Sequence, residues 1–371
     1  MAENAHEPRR SGVFSRSQAS RPGARRAIVI GAGSFGSAIA VLFARAGVRT
    51  TLQTRTLEQA ARLNESRQNR EYLPGIDLPR ALRIEPVTDG VGRADFVFLA
   101  VPSGALRDVV ASLADSGLGR AAAVSLSKGL VPPDGALPAA VLRGHFGAHR
   151  TACIGGPVHA QEMVRRGAAL VAASASERLA LALAEIFTLS GVLCEISSDP
   201  AGVELAGVAR NAAALAAGAT ESQGLGAAGA AAGHIFAEVW RYAKANGASP
   251  ESMIGLAGVG DLVAATLASQ SPNRRVGELL GQGVTAAEIE RAVGEAAESL
   301  ESVRLLARAI ECAGFPAPVT GALSRLISAE LPLEEWVALV RPALPVRAGR
   351  RRPSWWRRMR SRGVSGAPRA L

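Results

Sequence analysis

A glycine-rich segment near the N-terminus has the spacing that binds the pyrophosphate of a dinucleotide. Residues 31–36 read Gly31-Ala32-Gly33-Ser34-Phe35-Gly36, after an apolar run and before a helical pattern. The first glycine permits a tight turn, the second lets phosphates approach the backbone, and the third lets the helix pack closely on the strand. The helix N-terminus also attracts anions. We therefore predict a nicotinamide dinucleotide on this turn; a tight turn without a ligand is the alternative.

The segment after the second predicted strand bears on the choice of cofactor. Folds that prefer NAD commonly place an Asp or Glu there, which hydrogen-bonds the ribose hydroxyls. Here the segment reads Gln53-Thr54-Arg55 and has no carboxylate. A guanidinium can pair with a 2′-phosphate. We predict NADP or NAD as the cofactor, with NADP favoured or at least accepted; a solvated loop arginine is the alternative for Arg55.

The strongly basic balance of the chain comes from its two tails. The chain has 371 residues and a formal net charge of +10. Residues 341–371 hold ten arginines and no acidic residue, and residues 1–26 hold six arginines and two glutamates. The tails together carry +14, which leaves −4 on residues 27–340. Pro, Gly, Ser and Arg dominate both tails, which predicts that they are disordered. The mildly acidic body predicts that the core binds no nucleic acid.

The C-terminal tail contains one further pattern. Residues 353–360 read PSWWRRMR and interleave aromatic residues with arginines. Such a segment can contact an anionic membrane surface or single-stranded nucleic acid. A weak membrane-surface contact is one interpretation, and an extension without function is the other.

Cysteine usage and hydropathy indicate a cytoplasmic protein. Cys153, Cys194 and Cys312 are odd in number and far apart, which argues against a disulfide framework or a zinc site. The N-terminus lacks the apolar stretch of a signal peptide, and no apolar run approaches the roughly 18 residues that cross a bilayer. No pair of histidines or carboxylates has metal-ligand spacing, so we predict no metal.

The elements that must position these residues alternate in the first half of the chain. Five short apolar runs are of strand type, at 27–30, 49–53, 95–101, 121–126 and 151–154. Strands alternating with helices predict a mostly parallel, doubly wound sheet of the Rossmann type. From about Ser198 only helical patterns remain, at 201–219, 227–246 and 286–313. We predict an α/β fold, with a dinucleotide-binding domain over 27–197 and an all-α substrate domain over 198–340.

A set of motifs stands in a specific order along the chain. They read NREYLPGIDLP (69–79), VPS (101–103), SKGL (127–130), GPVHAQE (156–162), GVELAGVARN (202–211), GLAGVGDLV (255–263) and QSPNRRVGELLGQG (270–283). As an ordered set over about 27–340, they resemble the bacterial NAD(P)-dependent glycerol-3-phosphate dehydrogenases. The resemblance implies a Rossmann domain followed by a helical domain. It also implies interconversion of dihydroxyacetone phosphate and sn-glycerol 3-phosphate, the backbone of phospholipids.

The resemblance also implies individual site residues. The positions that match the cofactor site are Ser34, Phe35, Arg55, Lys128, Ala160 and Glu298. The positions that match the substrate site are Lys128, Gly156, Val158, Asn211, Asp261, Ser271 and Asn273. The lysine at 128 therefore serves both cofactor and substrate in the implied site.

The catalytic position departs from the family pattern. The family's general acid/base is a lysine before an asparagine, and here the pair is Arg210-Asn211. Arginine stays protonated in proteins, so Arg210 can polarise a carbonyl but is a poor proton donor. Lys128, one of only two lysines in the chain, can partly substitute, and Asp261 can orient either cation. An impaired acid/base group typically lowers the rate roughly 10²–10⁴-fold. A purely structural Arg210 is the alternative.

The phosphate position departs as well. The family has an arginine directly before the asparagine that matches Asn273, whereas this chain has Pro272, which supplies no donor. Where the family has a threonine four residues after the aspartate, this chain has Ala265. Arg274 is a nearby replacement whose side chain need not face the same way, and a solvated arginine is the alternative. The glycine-rich segment 224–236 lacks the polar and basic residues of the family.

The sequence supports three hypotheses. The first is an NAD(P)-dependent glycerol-3-phosphate dehydrogenase acting on a CH–OH group of a small phosphorylated triose or glycerol, with normal or impaired activity. The second is a related dehydrogenase of a different small hydroxy substrate, which the lost phosphate ligands favour. The third is a catalytically silent NADP-binding protein. We take the first as the main prediction and leave a homodimer open as the assembly.

Overall fold

The structure, a computed structural model, describes residues 25–87, 91–268, 271–293 and 296–340. The basic tails predicted at 1–26 and 341–371 lie outside the described residues, except for Arg25 and Arg26. The aromatic and arginine-rich segment at 353–360 lies outside them as well.

Eight strands form one sheet in the first half of the chain. They are β1 (Arg26–Ile30), β2 (Arg49–Thr54), β3 (Arg83–Pro86), β4 (Phe96–Leu99), β5 (Ala122–Ser125), β6 (Thr151–Gly155), β7 (Ala169–Ala173) and β8 (Leu193–Ser197). Their spatial order is β3-β2-β1-β4-β5-β6-β7-β8. The pair β6–β7 is antiparallel and the other six pairs described in this sheet are parallel. The predicted mostly parallel, Rossmann-type sheet is confirmed.

The direction in which the sheet grows reverses between β1 and β4. From β1 the sheet extends through β2 to β3, whereas from β4 it extends the other way to β8. In such sheets, ligands bind outside the carboxyl ends of the strands where the order reverses. The glycine-rich turn at 31–36 follows β1, and Val101 to Ser103 follow β4. Both segments therefore lie at the edge where a dinucleotide is expected.

Helices cover the sheet and bury aromatic side chains against it. The helices of this half are α1 (Ser34–Arg45), α2 (Leu57–Ser66), α3 (Leu106–Ser116), α4 (Pro138–Phe146), α5 (Ala160–Arg166) and α6 (Glu177–Leu189). Phe43 of α1 packs against Phe98 of β4 and Phe187 of α6, with ring centroids 5.2 Å apart in both pairs. All three rings are fully buried. Large buried aromatic surfaces contribute strongly to core stability, so this cluster holds α1, and the turn before it, against the sheet.

The described residues after Ser197 form helices and connecting turns. The helices are α7 (Pro200–Thr220), α8 (Leu225–Ala245), α9 (Pro250–Ile254), α10 (Asp261–Leu267), α11 (Pro272–Gly281), α12 (Ala286–Ala292), α13 (Ala296–Cys312), α14 (Pro318–Ile327) and α15 (Leu333–Val340). Helix α7 is buried along most of its length and packs against β6 as well as α8 and α11. The predicted α/β fold with a helical second half is confirmed. The predicted boundary between 197 and 198 falls between the end of β8 and the start of α7.

Helices α7 and α11 cross at glycines on both sides. A Cβ atom on Gly218 would overlap the carbonyl oxygen of Arg274, and one on Gly277 would overlap that of Leu215. Glycine allows backbones to approach this closely because it has no side chain. The crossing packs α11, from Arg274 in its first turn onward, against the C-terminal end of α7.

Among the described residues, no single helix is both long enough and apolar enough to cross a bilayer. The bent pair Pro250–Leu267 and Pro272–Gly281 meets the criteria of length and composition only when its two arms are taken together.

Two buried glutamates cap helices that are distant in sequence. Glu238 accepts hydrogen bonds from the backbone N–H groups of Val319, at 3.0 Å, and Thr320, at 2.8 Å, at the start of α14. Glu204 accepts one from the backbone N–H of Ala139, at 2.8 Å, at the start of α4. The first N–H groups of a helix have no partner within it, and an anion is favoured there. Burial raises the pKa of Glu204 to about 8, although its bond to Ala139 opposes the shift.

Replacing Glu238 by alanine is expected to lower the free energy of unfolding by about 2–3 kcal/mol, because two buried N–H groups lose their acceptor. Denaturant unfolding of the purified protein measures this change. Glu311→Ala, at an exposed position on α13, is the matched control and should change the free energy by less than about 0.5 kcal/mol. Equal stability of the two variants would contradict the capping role of Glu238.

Candidate active site

Lys128 and Arg210 bind the same oxygen of a buried carboxylate. The Lys128 Nζ atom lies 3.1 Å from Asp261 Oδ2, and an Arg210 terminal nitrogen lies 3.0 Å from the same oxygen. Lys128 Nζ also donates to the carbonyl oxygen of Gly156 at 3.1 Å. Asp261 is only 2% exposed. With the lysine protonated, two cations share one anion, which leaves one net positive charge in the cluster.

Segments far apart in sequence bring this cluster together. Lys128 follows β5 and Gly156 follows β6, so both lie at the carboxyl edge of the sheet. Arg210 lies halfway along α7, which packs on β6. Asp261 is the first residue of α10 and directly follows a π-helical turn, Leu256–Gly260. Single π-helical turns occur frequently at functional sites.

Asn211 connects the cluster to two other parts of the fold. Its Oδ1 atom accepts from Arg210 at 2.8 Å and from Asn273 Nδ2 at 3.0 Å. Its Nδ2 atom donates to the carbonyl oxygen of Lys128 at 3.1 Å. One amide thus ties α7 to α11 and to the loop after β5, which fixes the relative positions of the two cations.

Lys128 is the member of the cation pair that can exchange a proton near neutral pH. Burial lowers the pKa of Lys128 to about 8; the charge of Arg210 adds to this shift, and Asp261 opposes it. A guanidinium remains protonated in proteins. Arg210 therefore supplies a fixed positive charge, while Lys128 can hold or release a proton.

The glycine-rich turn has the shape that a pyrophosphate requires. Gly31 has a φ of +109°, and a Cβ there would overlap the carbonyl oxygen of Ala100. A Cβ on Gly36 would overlap the carbonyl oxygen of Gly31. A Cβ on Gly33 would meet no described atom within 4 Å. The first and third glycines are thus required by packing, and the second leaves open space at the start of α1, so the turn fits a dinucleotide.

A buried asparagine that sequence reasoning missed anchors this turn. Asn69 Nδ2 donates to the carbonyl oxygen of Ala32 and to Ser37 Oγ, both at 2.8 Å. Asn69 is the first residue of the motif at 69–79, and membership in that motif is the one sequence signal that could have pointed to its role. The contact between it and the turn depends on tertiary structure.

Arg55 lies beside the turn, where a ribose phosphate is expected. The backbone N–H of Gly31 donates to the carbonyl oxygen of Gln53 at 2.9 Å, which joins the turn to the end of β2. Arg55 follows β2 directly and is exposed. Its backbone N–H bonds Gln59 at 3.3 Å, whereas its guanidinium has no partner among the described residues.

Comparison with known proteins gives a consistent result over both halves of the chain. The model described as NAD-dependent glycerol-3-phosphate dehydrogenase N-terminus matches residues 26–180, and the model of the C-terminus matches residues 199–338. A protein from Methylibium petroleiphilum named glycerol-3-phosphate dehydrogenase, NAD(P)+, is 36% identical over 314 residues, which cover 82% of this chain and 93% of that protein. The chain belongs to the NAD-dependent glycerol-3-phosphate dehydrogenase family. The predicted family and enzyme class, an NAD(P)-dependent oxidoreductase acting on a CH–OH group, are confirmed.

Two further family members extend this comparison. A protein of the same name from Deinococcus radiodurans is 37% identical over 308 residues, which cover 81% of this chain and 90% of that protein. The solved structure of glycerol-3-phosphate dehydrogenase from Coxiella burnetii is 26% identical, with a TM-score of 0.80, and the match covers 85% of this chain and 98% of that one. Similarity therefore extends over the sheet and the helical half together.

The remaining residues predicted for the cofactor lie at the same edge of the sheet, together with Val158, which was predicted for the substrate. Glu298 Oε1 accepts a hydrogen bond from the backbone N–H of Ser103, just after β4, at 3.0 Å. Ser34 and half-buried Phe35 begin α1. Ala160 begins α5, and half-buried Val158 lies just before it. Their roles in binding stay predictions from the family resemblance.

Arg274, predicted as a substitute ligand for the phosphate, forms ion pairs and a hydrogen bond within the protein. Its guanidinium binds Glu221 at 2.5 Å and Glu278 at 3.2 Å, and it donates to the carbonyl oxygen of Thr266 at 3.3 Å. No sequence pattern indicated Glu221 as its partner. Ser271 is buried at the N-cap position of α11, directly before Pro272. The substrate contacts of Arg274 and Ser271 stay predictions.

Two buried polar atoms of the cluster have no hydrogen-bond partner within the described part of the chain. They are Arg210 Nε and Asn273 Oδ1. Buried polar atoms are nearly always hydrogen-bonded, so such exceptions require an explanation. One donor and one acceptor of this kind fit a ligand that carries both carbonyl and hydroxyl oxygens.

Replacing Gly33 by valine is expected to raise the dissociation constant of NADPH about 10-fold or more while the protein stays folded, because the new side chain occupies the space above the turn. Fluorescence titration and a thermal melt measure the two properties. Gly36→Ala is the contrasting variant, and its overlap with Gly31 should lower the melting temperature instead. Unchanged NADPH binding in folded Gly33→Val would contradict the position of the cofactor.

Proposed function

We propose that this chain is a glycerol-3-phosphate dehydrogenase that interconverts dihydroxyacetone phosphate and sn-glycerol 3-phosphate, the precursor of glycerophospholipids, and that Lys128 carries the proton in place of Arg210. The observation that carries the proposal is the shared Asp261 Oδ2 atom, which holds Lys128 Nζ and Arg210 side by side. The arginine at the catalytic position is therefore compatible with turnover.

The cluster divides the chemistry between its two cations. When bound, the nicotinamide supplies the hydride for reduction of the ketone and accepts it in the reverse reaction. Negative charge then develops on the carbonyl oxygen, and the fixed charge of Arg210 stabilises it. Lys128 donates the proton to that oxygen as the general acid. Asp261 and the carbonyl oxygen of Gly156 hold the ammonium group in place.

The phosphate end of the substrate meets fewer cations than the family pattern implies. The first backbone N–H groups of α11, which have no partner within the helix, lie beside the Ser271 hydroxyl, and a helix N-terminus attracts anions. Arg210 Nε is a further donor without a partner in the described chain. Pro272 contributes no donor to this group. These groups support phosphate binding that is weaker than a bidentate arginine would give.

The cofactor preference belongs to the same proposal. The exposed guanidinium of Arg55 beside the turn supports NADP as the favoured cofactor, with NAD accepted. A cytoplasmic location, a homodimer and a weak membrane contact of the C-terminal tail remain predictions from the sequence.

The pH dependence of the reaction tests the role of Lys128. Reduction requires the protonated amine, so kcat/KM for dihydroxyacetone phosphate is expected to fall as pH rises through about 8. Oxidation of sn-glycerol 3-phosphate requires the neutral amine and is expected to rise over the same range. Lys128→Arg should lower kcat roughly 10²–10⁴-fold and remove this inflection. The exposed Lys244→Arg is the matched control; if Lys128→Arg keeps the inflection, another group carries the proton.

Arg55 is tested by comparing the two cofactors. Arg55→Ala is expected to raise the dissociation constant of NADPH about 10-fold or more and that of NADH by less than about 2-fold, because only NADPH carries the 2′-phosphate. Isothermal titration calorimetry measures both values. Arg80→Ala, at another exposed loop position, controls for the loss of one surface charge. Equal losses for the two cofactors would disprove a 2′-phosphate contact.

A further inference from the structure

An apolar cavity lies between α7, α8, α10 and α11. Its volume is about 260 Å³, and the apolar part of its lining consists of Ala214, Ala217, Leu225, Ala228, Ala232 and Ala265. An apolar cavity of about 150 Å³ is large enough to bind benzene. This cavity therefore has room for an aromatic ring or a short aliphatic chain.

The cavity adjoins the catalytic cluster on two sides. Ala214 lies four residues after Arg210 on α7, and Ala265 lies four residues after Asp261 on α10. Residues four apart in a helix are neighbours on the same face. The cavity therefore begins one helical turn from both residues, close enough for the substituent of a bound ketone to enter it.

The charged groups at the cavity are already neutralised. Arg274 and Glu221 both line it and bind each other at 2.5 Å. A phosphate dianion that enters would meet the Glu221 carboxylate and would have to displace it from Arg274. An uncharged group meets no such repulsion. Leu225, 83% exposed, adds apolar surface that a ligand can cover.

We propose that this cavity is an apolar subsite of the active site, and that the enzyme also reduces hydroxymethyl ketones whose uncharged apolar group replaces the phosphate. The inference rests on the proposed function, because both reactions use Lys128, Arg210 and Asp261. The carbonyl carbon receives the hydride of NAD(P)H, and the carbonyl oxygen receives the proton of Lys128. The C=O double bond becomes a CH–OH group, and the cofactor is released as NAD(P)+.

Steady-state kinetics of the full chain with NADPH test this subsite. The two substrates are dihydroxyacetone phosphate and 1-hydroxy-3-phenylpropan-2-one, in which a phenyl group replaces the phosphate. Ala217→Leu and Ala228→Leu each add a side chain inside the cavity at half-buried positions. Each is expected to lower the ratio of kcat/KM for the phenyl ketone to that for dihydroxyacetone phosphate about 10-fold or more. Ala237→Leu, at an exposed position on α8, is the matched control and should leave the ratio unchanged.

The outcomes separate the inference from the proposed function. Reduction of the phenyl ketone that both cavity variants impair supports the subsite, provided that melting temperatures show folded proteins. Turnover of dihydroxyacetone phosphate without turnover of the phenyl ketone overturns the subsite and leaves the proposed function intact. Phenyl ketone reduction that the cavity variants do not affect also overturns it. Binding of NADPH without turnover of either substrate overturns both proposals.

Discussion

The ion pairs that the Asp261 carboxylate makes with Lys128 and Arg210 are the interaction on which the rest of the candidate active site depends. A buried cation needs a partner, because the removal of a charge from water costs several kcal/mol even after relaxation. Here one carboxylate is the partner of two cations. The excess positive charge favours the loss of one proton, and Lys128 is the residue that loses it, because a guanidinium retains its proton. The same geometry therefore anchors both side chains, and the mechanism that we propose gives them different roles.

The fold holds this arrangement through a few close contacts. Helix α7 packs on the sheet and carries Arg210 to its carboxyl edge. The glycines at the crossing of α7 and α11 bring Asn273 within 3.0 Å of Asn211, and Asn211 in turn holds the loop of Lys128. Since each contact joins segments distant in sequence, the site exists only when both halves of the chain are folded together.

The departures from the family pattern have one physical consequence in common. The resemblance implies a lysine where this chain has Arg210 and an arginine where it has Pro272, so a proton donor and a phosphate ligand of the implied site are missing. In the proposed reaction, Arg210 still places a positive charge beside the carbonyl. Arg274, predicted from the sequence as a replacement phosphate ligand, is paired with Glu221 at 2.5 Å. In the proposed reaction the cluster keeps positive charge for carbonyl reduction and binds a dianion less selectively. An alanine-lined cavity lies next to it.

Much of the cofactor half was predictable because its signals are local. Glycine spacing, apolar runs and helix length depend on nearby residues, and they predicted the turn at 31–36, five of the eight strands and the helical second half. Strands β3, β7 and β8 were missed, since short mixed or alanine-rich runs have no clear period. The joining of Lys128, Arg210 and Asp261 could be expected only from the family resemblance, and their distances, the lowered pKa of Lys128 and the pairing of Arg274 were decided by the tertiary structure. Burial and charge proximity depend on which segments meet in space, and no local pattern encodes them.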